Sequence, residues 1–226
     1  MPRPLLLFDL DGCLIDSTPA ITGSIRHALG ALGVAAPPAP ELTWCVGPPL
    51  RDSLATLLAD AGDDPARAPE AMDAYRAHYA DTATTLTAVI PGIEVVLDQL
   101  ARDATLAVVT SKPGEVAAPL IDGLGLAPRF AAVHAPVADH NSEPKAVTLG
   151  RALADLADDG GPEDAVMIGD RSFDIVAGHA CGTATVGVTW GAGSREELAQ
   201  AGADAVIDTP AALPSALRRV GTSAQL

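Results

Sequence analysis

The chain has 226 residues and a mass of 22.8 kDa, enough for one sizeable core and a small second lobe. Its 48% hydrophobic and 19% charged content is that of an ordinary soluble globular protein, and no apolar run reaches the roughly 18 residues of a membrane span. A formal net charge of −15 repels polyanions and anionic membranes, which argues against nucleic acid and membrane as partners.

The first predicted element is a strand over Leu5–Phe8, an apolar run that ends in Asp9 and Asp11, with Gly12 permitting a turn. Residues two apart on an extended chain point the same way, so both acids are expected to face one pocket. Taken alone, Asp-x-Asp-Gly after a strand is equally a polar turn. The Leu5–Phe8 run is too short for a signal-peptide core, and Cys13, Cys45 and Cys181 are too few and scattered for a disulfide framework or metal knuckle. The expected location is a reducing cytoplasm.

Beyond Asp16, a cap or hinge residue, Ser17 or Thr18 suits a helix cap with Pro19 in the first turn. Ile21, Ile25, Ala28, Leu29 and Leu32 follow at helical spacing until Gly33. Pro37 to Pro40 form a stiff connector into a Thr43 to Leu50 loop that carries Trp44. Helices are predicted from Arg51 to Asp60 and from Ala66 to about Thr82. The second stacks Met72, Tyr75 and Tyr79 as a packing stripe rather than a cofactor site.

From Pro91 and Gly92 onward, helices alternate with short strands. Strands are predicted at Leu106 to Val109, Ala131 to His134, Val166 to Ile168, Thr185 to Val188 and Ala205 to Ile207. The intervening helices run near Glu94 to Arg102, Glu115 to Gly123, Lys145 to Ala157, Phe173 to Ala180, Arg195 to Ala201 and Ala211 to Arg219. Short β-branched strands separated by helices pair in parallel through right-handed crossovers. The expected fold class is therefore α/β, a three-layer, Rossmann-like parallel sheet formed by residues 1–15 and 91–226, with an all-helical domain inserted at 16–90.

In such a sheet the ligand sits outside the carboxyl ends of the strands, at the switch point. Strand one ends in Asp9 and Asp11, the second in Thr110, Ser111 and Lys112, and the Val166 strand in Gly169, Asp170 and Asp174. Lys145 opens a helix after the strand between them. Twelve of the fourteen basic residues are Arg, and the two lysines are Lys112 and Lys145, which suggests a need for a compact ammonium at those points.

These four stretches, in this order and spacing, resemble the motifs of the haloacid dehalogenase superfamily of phosphohydrolases. Asp9-Leu10-Asp11-Gly12 matches its first motif, Thr110 or Ser111 its second, Lys145 its third, and Gly169-Asp170 with Asp174 its fourth. The helical insertion occupies the position of the cap in one subclass. The resemblance implies a nucleophile at Asp9, a general acid and base at Asp11, and Mg²⁺ held by Asp9, the Asp11 carbonyl and Asp170. Asp174 either supports Lys145 or the metal-bound waters, or only favours a helix N-terminus. Cys13 stands where the family usually has Thr or an aliphatic residue, and is expected as packing filler.

The chemistry of the residue types agrees. A phosphomonoester dianion repels a carboxylate nucleophile, so attack calls for a hard cation, which carboxylate oxygens suit. Lys145 would balance the remaining charge, and the Thr110 or Ser111 hydroxyl would donate to a phosphoryl oxygen unless both merely cap the next helix. Asp11 has to carry a proton for the leaving alkoxide and then, as a base, activate water against the aspartyl phosphate.

The expected reaction is hydrolysis of a small phosphorylated metabolite. The run Val46-Gly47-Pro48-Pro49-Leu50 is similar to cap sequences of phosphoglycolate phosphatase-like members. Arg51, or Arg26, is the candidate for an anionic end of the substrate, with a solvated surface Arg the rival reading, and Lys112 is a candidate for the cleft. Asp11 argues against a dehalogenase, and the absence of Lys from residues 16–90 argues against a Schiff-base phosphonate hydrolase. A sugar phosphomutase would use the same acids. A receiver-like phosphorylated switch is disfavoured by the helical insertion, and a degenerate binding protein by the full set of catalytic positions.

Overall fold

The computed structural model describes residues 3–137, 143–156 and 164–221. Two compact units divide the chain, one of residues 1–15 with 89–226 and one of residues 16–88. The first is built on a six-stranded sheet of β1 (Leu5–Phe8), β4 (Thr105–Val109), β5 (Ala132–His134), β6 (Ala165–Gly169), β7 (Ala184–Val188) and β8 (Ala205–Ile207). The order β5-β4-β1-β6-β7-β8 is parallel throughout, with β1 between β4 and β6. Leu5 aligns with Thr105 on one side and Ala165 on the other, so β1, β4 and β6 end level with one another.

Alternation along the strands explains why the sheet is covered twice. Leu5, Leu7, Ala107, Val109 and Met167 share a cluster with Leu149 and Ala152 of α6 (Lys145–Leu156) and Ala177 of α7 (Ser172–Ala180). Leu6, Phe8, Leu106, Val108, Val166 and Ile168 point the other way and are equally buried. Phe8 is fully enclosed and meets Phe130 edge-on at 6.2 Å. The remaining helices of this unit are α4 (Ile93–Leu100), α5 (Gly114–Gly123), α8 (Arg195–Gln200) and α9 (Leu213–Arg219).

The second unit is helical, with α1 (Thr18–Ala31), α2 (Leu50–Asp60) and α3 (Ala68–Leu86), and both α1 and α2 pack on α3. Tyr75 and Tyr79 stack at 5.4 Å inside it, as a packing stripe should, while Met72 is half-buried. Asp16, not Ser17 or Thr18, supplies the oxygen at the start of α1: its Oδ1 accepts from the Thr18 amide at 3.0 Å, and Ser17 makes no side-chain cap. Short 3-10 turns at Ala39–Cys45 and Pro65–Arg67 replace the expected connector and the first turn of the Ala66 helix. Another at Pro210–Ala212 moves the start of α9 to Leu213. The chain passes between the units at residues 15–16 and 88–89, where β2 (Ile15–Asp16) and β3 (Ala88–Val89) pair. The end expected for α6 at Ala157 lies outside the described residues.

Candidate active site

The site forms where β1, β4 and β6 end. Asp9 extends β1 by one residue, its amide donating to Ile168 O at 2.8 Å, and its side chain is buried. The chain then turns. Leu10 O accepts from the amides of Cys13, Leu14 and Ile15 at 3.3, 3.0 and 3.1 Å, and the Gly12 amide donates to Ile15 O at 2.8 Å. Asp11 forms an isolated bridge with Ile15 at the start of this turn, and its charge acts on the Asp9 carboxyl. Gly12 has φ +84, and a Cβ there would run into the Asp170 carboxylate, so this position needs glycine on both counts.

Lys145, at the first position of α6, joins two of the acids. Its Nζ lies 2.6 Å from Asp9 Oδ1 and also pairs with Asp174 Oδ1. Asp174 uses its other oxygen at the N-terminus of α7, accepting from the Arg171 amide at 3.0 Å, so it serves the helix start and the Lys145 pair together. Asp170, fully buried after β6, accepts from the Ala192 amide through Oδ2 at 2.8 Å, while its Oδ1 is buried without a hydrogen-bond partner.

Burial sets the electrostatics. It pushes the Asp9 carboxyl up to about 7, with Lys145 pulling down and Asp174 pushing up. The Asp170 carboxyl rises well above its ordinary value, first from burial and then from the charges of Asp174 and Asp9. Burial would lower the Lys145 ammonium, but Asp174 and Asp9 outweigh it and hold the amine charged. When all three carboxyls are ionised, the one ammonium among them leaves two negative charges in a buried space. One oxygen from each of Asp9, Asp170 and Asp174 lies within 4.8 Å of the others. Hard oxygen donors, an orphaned buried carboxylate oxygen and a deficit of two positive charges all fit a divalent cation such as Mg²⁺.

The β4 end supplies Thr110, Ser111 and Lys112. Thr110 is buried, its amide donates to His134 O at 3.0 Å, and its Oγ1 accepts from the Lys112 amide at 3.0 Å. The hydroxyl proton is thereby left for another acceptor. Ser111 is exposed. Neither residue caps α5, which starts at Gly114 with Pro113 before it and no side-chain cap. The Lys112 ammonium grips both oxygens of Asp11 at 3.0 and 2.8 Å, so the cleft candidate is a partner of the second acid. Arg51, in the first turn of α2, and Arg26, on α1, are both exposed residues of the helical unit. Cys13 is fully buried, with Sγ 3.7 Å from Ile168 O.

Sequence reasoning passed over the end of β7. There Trp190 Nε1 donates to Cys13 O at 3.0 Å, and Ala192 supplies the amide on Asp170. The available signal was Gly191-Ala192-Gly193 two residues beyond a buried strand, a fourth strand end on the same edge. Glu197 was also missed. It accepts from the Ser172 amide at 2.8 Å, the Ser172 hydroxyl at 2.9 Å and Arg171 Nε at 3.0 Å, anchoring the start of α7.

Fold and site together define a class: parallel α/β proteins that hold a buried acidic cluster and a lysine at the switch point of the sheet. The profile of haloacid dehalogenase-like hydrolases matches residues 6–188, and the chain belongs to that family. It is 35% identical over 194 residues to the tyrosine-protein kinase PtkA of Mycobacterium tuberculosis, a match spanning 85% of this chain but only 64% of that protein. It is 36% identical to a 5'-nucleotidase of Pseudomonas aeruginosa over 86% of each chain. It is 32% identical to a phosphoglycolate phosphatase of Cupriavidus necator over 96% of this chain and 94% of that one. Among solved structures, a predicted phosphatase from Clostridium acetobutylicum superposes with a TM-score of 0.84 at 30% identity, covering 97% of this chain and 99% of the other.

Proposed function

We propose that the chain is a Mg²⁺-dependent phosphatase that hydrolyses a small phosphomonoester through an aspartyl phosphate on Asp9. The observation that carries this reading is the Asp9, Asp170 and Asp174 cluster, with Asp170 Oδ1 unpartnered and Lys145 bridging Asp9 and Asp174. Phosphatase, phosphoglycolate phosphatase and nucleotidase names among the relatives support it.

In this account Asp9, Asp170 and the Asp11 carbonyl hold the cation, and Asp174 holds Lys145 beside it. The cation, when bound, supplies the positive charge that lets a carboxylate approach a phosphate dianion. The Asp9 carboxylate attacks phosphorus, Lys145 and the Thr110 hydroxyl stabilise the phosphoryl oxygens, and Asp11 gives a proton to the leaving oxygen. Asp11, now a base, takes a proton from the water that attacks the phosphorus of the aspartyl phosphate and frees Asp9. Ser111 is the second hydroxyl assigned to the phosphoryl group.

Residues 16–90 act as the cap domain, and Arg51 contributes to recognition of an anionic substrate; Arg51→Ala raises KM in this reading, and an unchanged KM for every accepted substrate removes that part of it. A cytoplasmic location accords with three free cysteines. Among the described residues no helix is long and apolar enough to cross a membrane. The test is a panel of phosphomonoesters, including phosphoglycolate and nucleoside monophosphates, with Mg²⁺ and with EDTA. Many turnovers of phosphate release that EDTA abolishes are expected. A single stoichiometric phosphorylation would favour a switch, and phosphate returned to another position of a sugar phosphate would favour a mutase.

A further inference from the structure

The loop after β7 encloses Asp170 more tightly than a connection requires. A Cβ at Gly191 would strike the Asp170 carboxylate, and one at Gly193 would strike its main-chain oxygen. A Cβ at Gly12 would strike the same carboxylate. Asp170 is thus closely approached by two stretches of backbone, the turn at residues 10–15 and the loop at 190–193. Two hydrogen bonds complete the enclosure: Ala192 N to Asp170 Oδ2 at 2.8 Å, and Trp190 Nε1 to Cys13 O at 3.0 Å. The second joins residues 177 apart in sequence and ties the loop directly to the turn that carries Asp11.

Removing the Trp190 bond would cost the fold little, because the turn keeps its own bonds to Leu10 O and Ile15 O. What the bond fixes is the separation between the Asp11 turn and the Asp170 carboxylate. A cation site tolerates small errors in that separation poorly, since hydrogen bonds behind the ligands set their aim. We propose that Trp190 is a positioning residue for the divalent-cation site, clamping the Asp11 turn against Asp170 through the Cys13 carbonyl.

This inference rests on the Mg²⁺ reading above, and the test separates the two. Mg²⁺ is titrated calorimetrically into the full chain without substrate, for the wild type, Trp190→Phe and Asp170→Asn, and each protein is also melted in EDTA. Trp190→Phe keeps the ring and loses only the N–H donor. The expected result is a Kd for Mg²⁺ raised by about tenfold in Trp190→Phe, with a melting temperature in EDTA close to that of the wild type. Wild type that binds no Mg²⁺ overturns the cation reading and the clamp with it. Wild type that binds, with Asp170→Asn impaired and Trp190→Phe unchanged in Kd, overturns the clamp alone. If Trp190→Phe does not fold, Trp190→His and Trp190→Met decide, the first keeping a ring N–H donor and the second having none: a Kd weakened in Trp190→Met alone supports the clamp, and equal Kd values overturn it.

Discussion

The Lys112 ammonium binds both carboxylate oxygens of Asp11, at 3.0 and 2.8 Å, from the neighbouring strand end and with little exposure of either side chain. The acid assigned to proton transfer is therefore oriented by a resident cation before any substrate arrives. Replacing Lys112 with Met removes that pairing and should lower kcat about a hundredfold for an alkyl phosphate, whose leaving group needs a proton. For p-nitrophenyl phosphate, whose leaving group departs without one, the loss should be several-fold at most. Steady-state kinetics on both substrates checks this, and equal losses would show that Lys112 does not act through Asp11.

Lys145 is the counter-charge of the buried cluster. Lys145→Met leaves Asp9, Asp170 and Asp174 without an ammonium, and breaking such a pair from one side costs about 3 kcal/mol or more. Urea unfolding in EDTA should show that loss at pH 8 and a smaller one at pH 5, where the carboxyls take up protons. A loss independent of pH would mean that packing, not charge, is what Lys145 provides.

The metal-free protein should also report the burial of Asp9 itself. Its folded pKa of about 7 exceeds the ordinary 3.8, so its contribution to stability is whole below about pH 4 and is lost as the pH rises through about 7. Relative to Asp9→Asn in EDTA, the wild type should lose on the order of 3 kcal/mol across that window, and saturating Mg²⁺ should restore most of it. Melting curves of both proteins from pH 4 to pH 8 decide the matter, and a flat difference would contradict the account.

Most of the α/β core was legible in the sequence because parallel strands buried on both sides read as short apolar runs: Leu5–Phe8 and Ala205–Ile207 sit where they were expected. Once the strands are parallel, their ends share one edge, which is why Asp9, Asp170, Asp174 and Lys145 could be grouped before any distance was known. The two-residue strands β2 and β3 carry no periodicity to detect. The partners of Asp11 and of Cys13 O lie 101 and 177 residues away, and no local pattern announces such contacts.

Glu197 gives a prediction of opposite sign. Burial would raise its carboxyl, but bonds from the Ser172 amide, Arg171 and the Ser172 hydroxyl hold it below its usual value. A depressed folded pKa contributes stability above the unfolded value of about 4.5, and that contribution is lost as the pH falls through the folded one. Glu197→Gln should cost about 1 kcal/mol at pH 7 and nothing at pH 3, by chemical denaturation. A difference that persists at pH 3 would point to lost packing.

Asp9 is the residue proposed to carry the phosphoryl group. The direct measurement is a rapid acid quench of the Mg²⁺-loaded protein during turnover, followed by mass spectrometry of its peptides, with Asp9→Asn as the comparison. One phosphoryl group on the peptide that contains Asp9 is expected, with neither adduct nor turnover in Asp9→Asn. Turnover that survives in Asp9→Asn, or a phosphoryl group on a different residue, would contradict it.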